Sequence, residues 1–260
     1  MRKEAPLHRG GEHDVVLEAQ GLAKIFSNGR GVKDVSFKVH RGEIAVIMGP
    51  NGAGKTTSFR MACGLITPQK GKVFLNGRDV TRWPMYRRAK EGKMGYLAQD
   101  RSIFRDLTVE DNLLSVMELL HFNSRRRRER CNELLEQFQI DKLRKTKAKS
   151  ISGGEKRRLE VARALVSDPN IILLDEPFPG VDPKTVDGIQ DVVRTLRDQG
   201  ISVLITDHQV RETLQIADYC YIVLDGEILC EGTPDEVVRN PLAQEHYFGK
   251  DESLVNANGG

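Results

Sequence analysis

The sequence predicts an α/β fold in which a mainly parallel sheet carries an antiparallel β subdomain and an inserted α-helical subdomain. Three observations lead to this fold class. Residues 15–39 alternate apolar and polar side chains, as half-buried antiparallel strands do. After residue 155, strands and helices alternate, which is typical of a parallel sheet with ligands at the carboxyl ends of its strands. Between about 101 and 151 the pattern is helical throughout, so we interpret this stretch as an insertion.

The length of 260 residues suits one large domain or a domain with an inserted lobe. With 39% hydrophobic and 30% charged residues, the composition indicates a soluble globular protein. No apolar run approaches the ~20 residues that cross a bilayer. We expect residues 1–13 to form a flexible tail and not a secretory signal, because no apolar stretch follows their basic residues.

The four cysteines are scattered without a CxxC spacing, which favours buried free thiols in a reducing cytosol over disulfides or a metal site. The net charge of +3 is too small to identify a polyanionic partner. Basic residues cluster at 125–130 (RRRRER) and 142–149 (KLRKTKAK). We interpret both clusters as solvated helix faces, with attraction to anionic lipid or nucleic acid as the alternative, and expect no nucleic-acid partner.

The first half of the chain surrounds a glycine-rich loop with regular structure. A buried strand at 43–49 runs straight into the loop, and a short helix follows at 56–63. The next strand ends in an Asn-Gly turn at 76–77, and a further strand at 96–98 ends at Gln99.

In the predicted insertion, Thr108 caps a helix together with Asp111, and a second helix covers about 126–138. One face of the first helix is apolar and consists of Leu113, Val116, Met117 and Leu120.

The strand–helix alternation then resumes with a helix at 155–167 and the strand IILLD. Asp182 and Pro183 open the next helix as a cap and a first-turn proline. The strand ISVLITD ends at His208, and an Asp-Gly turn at 225–226 follows a later strand.

The glycine-rich loop fits the pattern G-x-x-x-x-G-K-[ST], which binds the phosphates of a nucleoside triphosphate. Its glycines let backbone N–H groups wrap the β-phosphate, and the following helix directs its positive end at the anion. Lys55 is predicted to reach the β- and γ-phosphates, and the Thr56 hydroxyl to bind Mg²⁺. The predicted nucleotide-binding residues here are Gly49, Pro50, Asn51, Gly52, Ala53, Gly54, Lys55, Thr56 and Thr57.

A second motif, IILLDE at 171–176, supplies two acids. Its apolar residues predict a buried strand, at whose end Asp175 supports Mg²⁺ through water and Glu176 polarises the attacking water as general base. A core strand followed by two capping acids is the alternative, which the phosphate loop disfavours.

A third motif is SGGE at 152–155, in which Ser152 and Glu155 have the spacing of a helix capping box. A capped helix start is itself an anion site. With the phosphate loop and LLDEP, this tetrapeptide makes the chain from about 17 to 235 resemble the ATP-binding cassette (ABC) ATPases. The resemblance implies a P-loop NTPase (RecA-like) core, ATP and Mg²⁺ as cofactors, and a homodimer that sandwiches two nucleotides. In that family the signature, here Ser152, Gly153, Gly154 and Glu155, contacts the γ-phosphate held by a second copy.

The resemblance also implies roles for residues outside these motifs. Gln99 resembles the Q-loop glutamine, expected to touch Mg²⁺ or the lytic water, and His208 resembles the switch histidine that contacts the γ-phosphate. Phe26 stands where the family stacks an aromatic ring on adenine, and Asp182 where the D-loop aspartate crosses the dimer interface. The predicted catalytic residues are Glu176, His208 and Gln99, and the predicted metal-binding residues are Thr56, Gln99 and Asp175.

Within the family, the stretches QDRSIFRDLTVEDNL, DEPFPGVDP, ITDHQVRETL and HYFG resemble the ATPases of lipopolysaccharide export. This resemblance implies two transmembrane permease subunits, whose coupling helices contact a groove lined by Phe104 and Arg105, and a peripheral position on the cytoplasmic face of the inner membrane. The alternatives are the ATPase of a branched-chain amino-acid importer and a soluble ATPase of iron–sulfur cluster assembly. The predicted boundaries are 14–235 for the ATPase domain and 236–260 for a C-terminal helical extension.

Overall fold

The computed structural model describes residues 14–98, 103–178 and 183–249. For residues 183–185 it describes the backbone but not the side chains. None of the described helices is long and apolar enough to span a membrane. The strands are β1 (Val15–Ile25), β2 (Gly31–His40), β3 (Ile44–Met48), β4 (Lys70–Leu75), β5 (Arg78–Asp79), β6 (Met94–Leu97), β7 (Ile171–Asp175), β8 (Ser202–Thr206), β9 (Tyr219–Leu224) and β10 (Glu227–Gly232). The α-helices are α1 (Lys55–Cys63), α2 (Met85–Lys90), α3 (Val109–Leu119), α4 (Ser124–Gln137), α5 (Gly153–Ala164), α6 (Pro183–Asp198), α7 (Val210–Leu214), α8 (Pro234–Arg239) and α9 (Pro241–Ala243), and a π-helical turn follows at Gln244–Phe248.

Over the described residues, the strands form one mixed sheet in the order β5-β4-β1-β2-β10-β9-β3-β8-β7-β6. Strands β1, β2, β4 and β5 pair antiparallel, as the alternation at 15–39 predicts. Strands β9, β3, β8, β7 and β6 pair parallel, which brings the carboxyl ends of β3, β7 and β8 to one edge. The predicted fold class is confirmed, and this edge is where a sheet of this kind binds its ligand.

Strand β3 is buried on both faces and separates two hydrophobic cores. Val46 and Met48 face the core shared with α5, α6 and the helical subdomain. Ala45 and Ile47 face the core shared with α1 and the antiparallel strands. Side chains alternate across a strand, so burial on both faces requires the continuous apolar run seen in the sequence. The glycine-rich loop therefore starts from a strand that is fixed from both sides.

The inserted helical subdomain follows the predicted pattern with one shifted boundary. The Thr108 hydroxyl accepts a hydrogen bond from the backbone N–H of Asp111 at 3.0 Å, so the predicted cap of α3 is confirmed. Helix α4 begins at Ser124, earlier than the predicted start, because the Asn123 side chain caps it by accepting from Arg126 N at 2.9 Å.

Both predicted hairpin turns are confirmed. Asn76 and Gly77, between β4 and β5, have φ of 49° and 76°, and Asp225 and Gly226, between β9 and β10, have φ of 49° and 83°. Positive φ at both central residues matches the twist of the flanking strands, which is why Asn-Gly and Asp-Gly predict such turns.

The cysteines are free thiols, with Cys63, Cys131 and Cys220 buried and Cys230 half-buried. Burial raises the pKa of Cys131 to about 11 and raises the pKa of Cys220 as well. These thiols stay protonated at neutral pH, so they act as small core side chains and not as nucleophiles.

Candidate active site

The glycine-rich loop joins β3 to α1 in a conformation that requires glycine. Gly49 has φ of 146°, and a Cβ there would lie 2.0 Å from the carbonyl oxygen of Val223. Gly54 has φ of 110° and forms the N-cap of α1. Helix α1 therefore directs its free N–H groups and its positive end at the loop, as binding of phosphate requires. The other predicted nucleotide-binding residues follow in order: Pro50, Asn51, Gly52 and Ala53 in the loop, and Lys55, Thr56 and Thr57 in the first turn of α1.

The Lys55 side chain turns back over the loop. Its amine donates hydrogen bonds to the carbonyl oxygens of Gly49 at 2.7 Å and Pro50 at 2.9 Å. Burial lowers the pKa of the amine, and the carboxylates of Glu176 and Asp207 oppose that shift. A positive charge is thus held inside the curve of the loop, within the field of two acids.

The phosphate loop is held by the β9–β10 turn and, through it, by the start of β2 after the β1–β2 turn. The backbone N–H of Gly226 donates to the Ala53 carbonyl at 2.9 Å, and the Gly226 carbonyl accepts from Lys33 N at 2.9 Å. This links the loop to the start of β2 and so to the β1–β2 turn. In that turn Phe26 N donates to Arg30 O at 2.8 Å, and the Phe26 side chain is 40% exposed. An exposed aromatic ring on a braced turn beside the loop is available for stacking.

The acids of the second motif lie at the carboxyl end of β7. Asp175 is 3% exposed, and its Oδ1 accepts a hydrogen bond from the Thr206 hydroxyl at 3.0 Å. Burial is the largest cause of a raised pKa at this carboxyl. The next residue, Glu176, has φ of 46° and donates its backbone N–H to the Thr206 carbonyl at 2.8 Å. Strand β8 therefore holds both acids in place.

His208 follows β8 and faces the same acids. Its Nδ1 lies 3.5 Å from Oε2 of Glu176. Asp207, which is 1% exposed, accepts backbone hydrogen bonds from His208 at 2.7 Å, Gln209 at 2.8 Å and Phe178 at 3.0 Å. Asp207 therefore ties the loop after β7 to the loop after β8, and the structure brings Lys55, Glu176 and His208 together at one edge of the sheet.

The residues available for a divalent cation carry oxygen donors, the Thr56 hydroxyl and the Asp175 carboxylate. No group of three or more His, Cys, Asp or Glu that could hold a metal ion occurs among the described residues. Mg²⁺ needs no such group, because it binds through one or two carboxylates, waters and the phosphates of its nucleotide. The donor set fits Mg²⁺.

The SGGE motif lies at the start of α5, which spans 153–164 and so begins and ends earlier than the predicted 155–167. The helix starts at Gly153 because Ser152 is its cap: the Ser152 hydroxyl accepts from Glu155 N at 3.3 Å, and Ser152 N donates to the Glu155 carboxylate at 2.7 Å. A Cβ at Gly153 or Gly154 would meet nothing within 4 Å. The motif forms an open surface on the helical subdomain.

Phe104 combines a fixed backbone with an exposed ring. The buried Asn112 side chain accepts from Phe104 N at 2.8 Å and donates to Phe104 O at 3.0 Å. The ring is 47% exposed, and the Arg163 guanidinium lies 4.7 Å from its centroid. Arg105 is exposed beside it, and its carbonyl accepts from Lys149 N at 2.9 Å.

Two predicted site residues, Gln99 and Asp182, lie outside the described residues, and their roles stay predictions. Two other residues beside the site were not predicted. Asp207 had a usable signal, since it is an acid at the end of an apolar strand next to His208. Gln69 had none: its amide bonds both backbone groups of Ile25, the residue before the Phe26 turn, at 2.8 and 3.3 Å.

The chain is similar to known proteins over most of its length. A family model described as ABC transporter matches residues 32–179, and one described as branched-chain amino acid ATP-binding cassette transporter matches residues 227–253. An uncharacterised ABC transporter ATP-binding protein of Rhizobium meliloti is 52% identical over 93% of this chain and 89% of its own length. The lipopolysaccharide export system ATP-binding protein LptB of Acidithiobacillus ferridurans is 49% identical over 90% of this chain and 97% of its own length. A solved ATP-binding cassette of an ABC transporter in its ADP conformation matches with a TM-score of 0.81 at 26% identity, over 91% of this chain and 99% of that chain.

Proposed function

Because this chain belongs to the ABC transporter family of ATP-binding cassettes, we propose that it is the ATPase subunit that powers lipopolysaccharide transport from the inner toward the outer membrane. We assign lipopolysaccharide as the substrate because the chain is similar to a lipopolysaccharide export protein along nearly the whole of both chains. The proposal of ATP hydrolysis is supported by the proximity of Lys55, Glu176 and His208 at the carboxyl edge of the parallel strands.

ATP binds with its phosphates in the loop between β3 and α1. The backbone N–H groups of the loop and the start of α1 hold the phosphate oxygens. Lys55 then exchanges its bonds to the Gly49 and Pro50 carbonyls for the β- and γ-phosphates. Phe26 stacks on the adenine ring.

The Thr56 hydroxyl, Gln99 and, through water, Asp175 would hold Mg²⁺. When bound, the ion would supply positive charge that offsets the negative charge of the phosphates. Thr206 keeps the Asp175 carboxylate in position for this task through its 3.0 Å hydrogen bond. Because Asp175 is buried, binding a cation also offsets the cost that burial imposes on its charge.

Hydrolysis uses Glu176 as the general base that polarises the attacking water. His208 contacts the γ-phosphate, and its position beside Glu176 lets it align the water between base and phosphorus. Gln99 completes the arrangement and reports the nucleotide state to the helical subdomain.

The working unit is a head-to-tail homodimer with two ATP molecules between the two copies. Ser152 and its neighbours to Glu155 contact the γ-phosphate in the partner's loop, and Asp182 crosses the interface. The open surface at Gly153 and Gly154 leaves room for this approach.

Two permease subunits receive the motion of the dimer through their coupling helices. Phe104 and Arg105 line the receiving groove, at the cytoplasmic face of the inner membrane. A rigidly held backbone with an exposed ring suits such a contact, because little conformational freedom is lost on binding.

The proposal is tested by mild-detergent affinity purification of the Glu176→Gln chain from its native membranes, with the co-purifying proteins identified. Two large permease subunits together with envelope bridge proteins would support lipopolysaccharide export. Recovery of importer permeases would instead indicate a role in amino-acid uptake. Recovery of soluble scaffold proteins alone would indicate a role in iron–sulfur cluster assembly. As a control, adding Phe104→Ala should remove the permeases but leave bound nucleotide.

A further inference from the structure

The turn that carries Phe26 joins β1 to β2 and is closed by its own hydrogen bonds. Phe26 N donates to Arg30 O at 2.8 Å, and Gly29 N donates to Phe26 O at 2.9 Å. Within the turn, the Asn28 side chain accepts from Arg30 N at 3.0 Å. These bonds fix the shape of the turn, so the place of the exposed Phe26 ring depends on how the end of β1 is held.

The end of β1 extends past one of its two neighbouring strands. Among the described residues, the register of β1 with β4 ends at the pair Ala23 and Lys70. A backbone bond from Gln69 N to Ala23 O at 2.8 Å adjoins this pair. On the other side, the register with β2 continues to Ile25 opposite Gly31. The last residues of β1 therefore pair with the backbone of β2 but lie beyond the ladder with β4.

The Gln69 side chain takes the place of the missing strand partner. Its Oε1 accepts from Ile25 N at 2.8 Å, and its Nε2 donates to Ile25 O at 3.3 Å. A side-chain amide offers a donor and an acceptor, the same two bonds that a hydrogen-bonded residue of an antiparallel strand supplies. The residue directly before Phe26 is thereby held from the β4 side as well as from the β2 side.

The β2 side of this strand end is already tied to the phosphate loop. A Cβ on Gly31 would lie 1.9 Å from Lys24 O, so the two strands are in close contact here. The Gly226 carbonyl accepts from the start of β2 at 2.9 Å, and Gly226 N donates to Ala53 O in the loop at 2.9 Å. Gln69 completes this arrangement from the opposite side and so sets the position of the Phe26 turn relative to the loop.

We propose that Gln69 is a positioning residue for nucleotide binding, which holds the end of β1 so that Phe26 presents its ring to adenine at a fixed distance from the phosphate loop. The inference rests on the proposed stacking of Phe26 on adenine. Gln69 acts through Phe26 and not on the nucleotide, because a strand end that is held in advance loses less conformational freedom on binding.

The test is Gln69→Met, which keeps the length of the side chain and removes both hydrogen bonds. Because Gln69 is exposed, the variant should fold. The measurements are the Kd of ATP by calorimetry, the KM and kcat of ATP hydrolysis, and Tm. We expect Kd and KM to rise about 2- to 10-fold, the effect of a lost hydrogen bond, with kcat within about twofold.

The matched control is Ser36→Ala. It also removes a side-chain bond to the backbone of β1, but at Gly21, whose N–H donates to the Ser36 hydroxyl at 2.9 Å, further from the turn. This variant should leave Kd and KM unchanged even where it lowers Tm. If Ser36→Ala and Gln69→Met raise Kd and KM alike, the effect comes from the stability of the strand and the inference is overturned.

A double-mutant cycle with Phe26→Ala separates positioning from a general effect on the fold. Phe26→Ala should raise Kd at least as much as Gln69→Met does. In the Phe26→Ala chain, adding Gln69→Met should change Kd little, because no ring remains to be positioned. The inference is overturned if Gln69→Met leaves Kd and KM at wild-type values, or if it raises Kd equally with and without Phe26.

Failure of the proposed function gives different results in the same assays. No binding of ATP by the wild-type chain would refute the nucleotide site itself. Wild-type affinity of the Phe26→Ala chain would refute the stacking on adenine. Weakened binding by Phe26→Ala together with wild-type binding by Gln69→Met would refute only the role of Gln69.

Discussion

His208 and Glu176 approach each other from the ends of adjacent strands, with Nδ1 of His208 3.5 Å from Oε2 of Glu176. Glu176 has φ of 46°, a conformation that is uncommon outside glycine and costs about 1–3 kcal/mol. The carbonyl of Thr206, in the strand that leads to His208, accepts the Glu176 N–H and holds this conformation. The two side chains are thus positioned by one stretch of backbone, although they come from separate motifs.

Replacing Glu176 by Gln should abolish turnover while ATP still binds. The change keeps the shape of the side chain but removes the base, so kcat should fall by a factor of about 10² to 10⁴. Steady-state ATPase assays and nucleotide binding measure the two effects, and size-exclusion chromatography with ATP should reveal a trapped dimer. Glu227→Gln, at an exposed acid of β10, is the control and should keep the wild-type rate. A Glu176→Gln chain as fast as wild type would refute the assignment of the base.

Replacing Asp207 by Asn should damage stability and turnover together. The new amide would point a donor at the Phe178 N–H, which Oδ2 now satisfies at 3.0 Å, leaving a buried donor unpaired. The free energy of unfolding should fall by about 1–3 kcal/mol. Misplacing His208 and Glu176 should slow hydrolysis by about tenfold or more. Denaturant melts and ATPase assays measure these effects.

The control for Asp207 is Asp218→Asn. Asp218 is a half-buried acid that also accepts a backbone hydrogen bond, but from Ile44 N, at the opposite end of the parallel strands. This variant should lose stability and keep the wild-type rate per folded molecule. If both variants slow hydrolysis equally, Asp207 acts only through stability.

The parts of the fold that the sequence predicts have local signals. Thr108 and Asp111 are close enough in the chain to form a cap by themselves, and Asn76–Gly77 needs only its own dihedral angles. The sequence predicts helix boundaries less accurately where charged residues obscure the apolar periodicity. The arginine-rich start of α4 hid its cap at Asn123, and α5 begins at Gly153 because the helix starts directly after the capping serine.

The site was predictable where motifs carry it and not where distant segments meet. The phosphate loop and the acids of β7 could be located because each lies at the end of a buried strand. The contact of Gln69 with Ile25 joins residues that are 44 positions apart in sequence. A single glutamine has no spacing pattern, so only the packed chain reveals this neighbour.

Replacing Phe104 by Ala should weaken assembly with the permease subunits and spare nucleotide binding. An exposed aromatic ring on a fixed backbone is typical of an interface anchor, and such a truncation costs at least about 2 kcal/mol, or roughly 30-fold in affinity. Quantitative co-purification measures the loss. Leu119→Ala, at a 74% exposed apolar residue of the same subdomain, should have little effect. Unimpaired assembly of the Phe104→Ala chain would remove the coupling-groove proposal.

Replacing Gly154 by Ala should impair the function of the signature at 152–155 without disturbing the fold. A Cβ at this position meets nothing within 4 Å, so the variant should fold and bind one ATP as wild type does. A methyl group on the surface that faces the partner's γ-phosphate should prevent closure, and hydrolysis should fall by about 10² or more. Gly188→Ala, an equally open position in α6, is the control and should be silent. Full activity of Gly154→Ala would contradict the proposed sandwich.

The capping box of α5 should make the start of the signature helix sensitive to acid. Bonds from Ser152 lower the pKa of Glu155 below its ordinary 4.5, the backbone N–H being the largest cause. Because the folded pKa is depressed, the stabilisation is present above pH 4.5 and is lost as pH falls through the lower folded value. The protection of the first turn of α5 against hydrogen exchange, relative to the intrinsic amide rate at each pH, should therefore fall in that window. Glu155→Gln, which keeps the box without titrating, should remove the pH dependence, while Glu236→Gln in the matching box of α8 should change only α8. Protection of α5 that is independent of pH in the wild-type chain would contradict this role of Glu155.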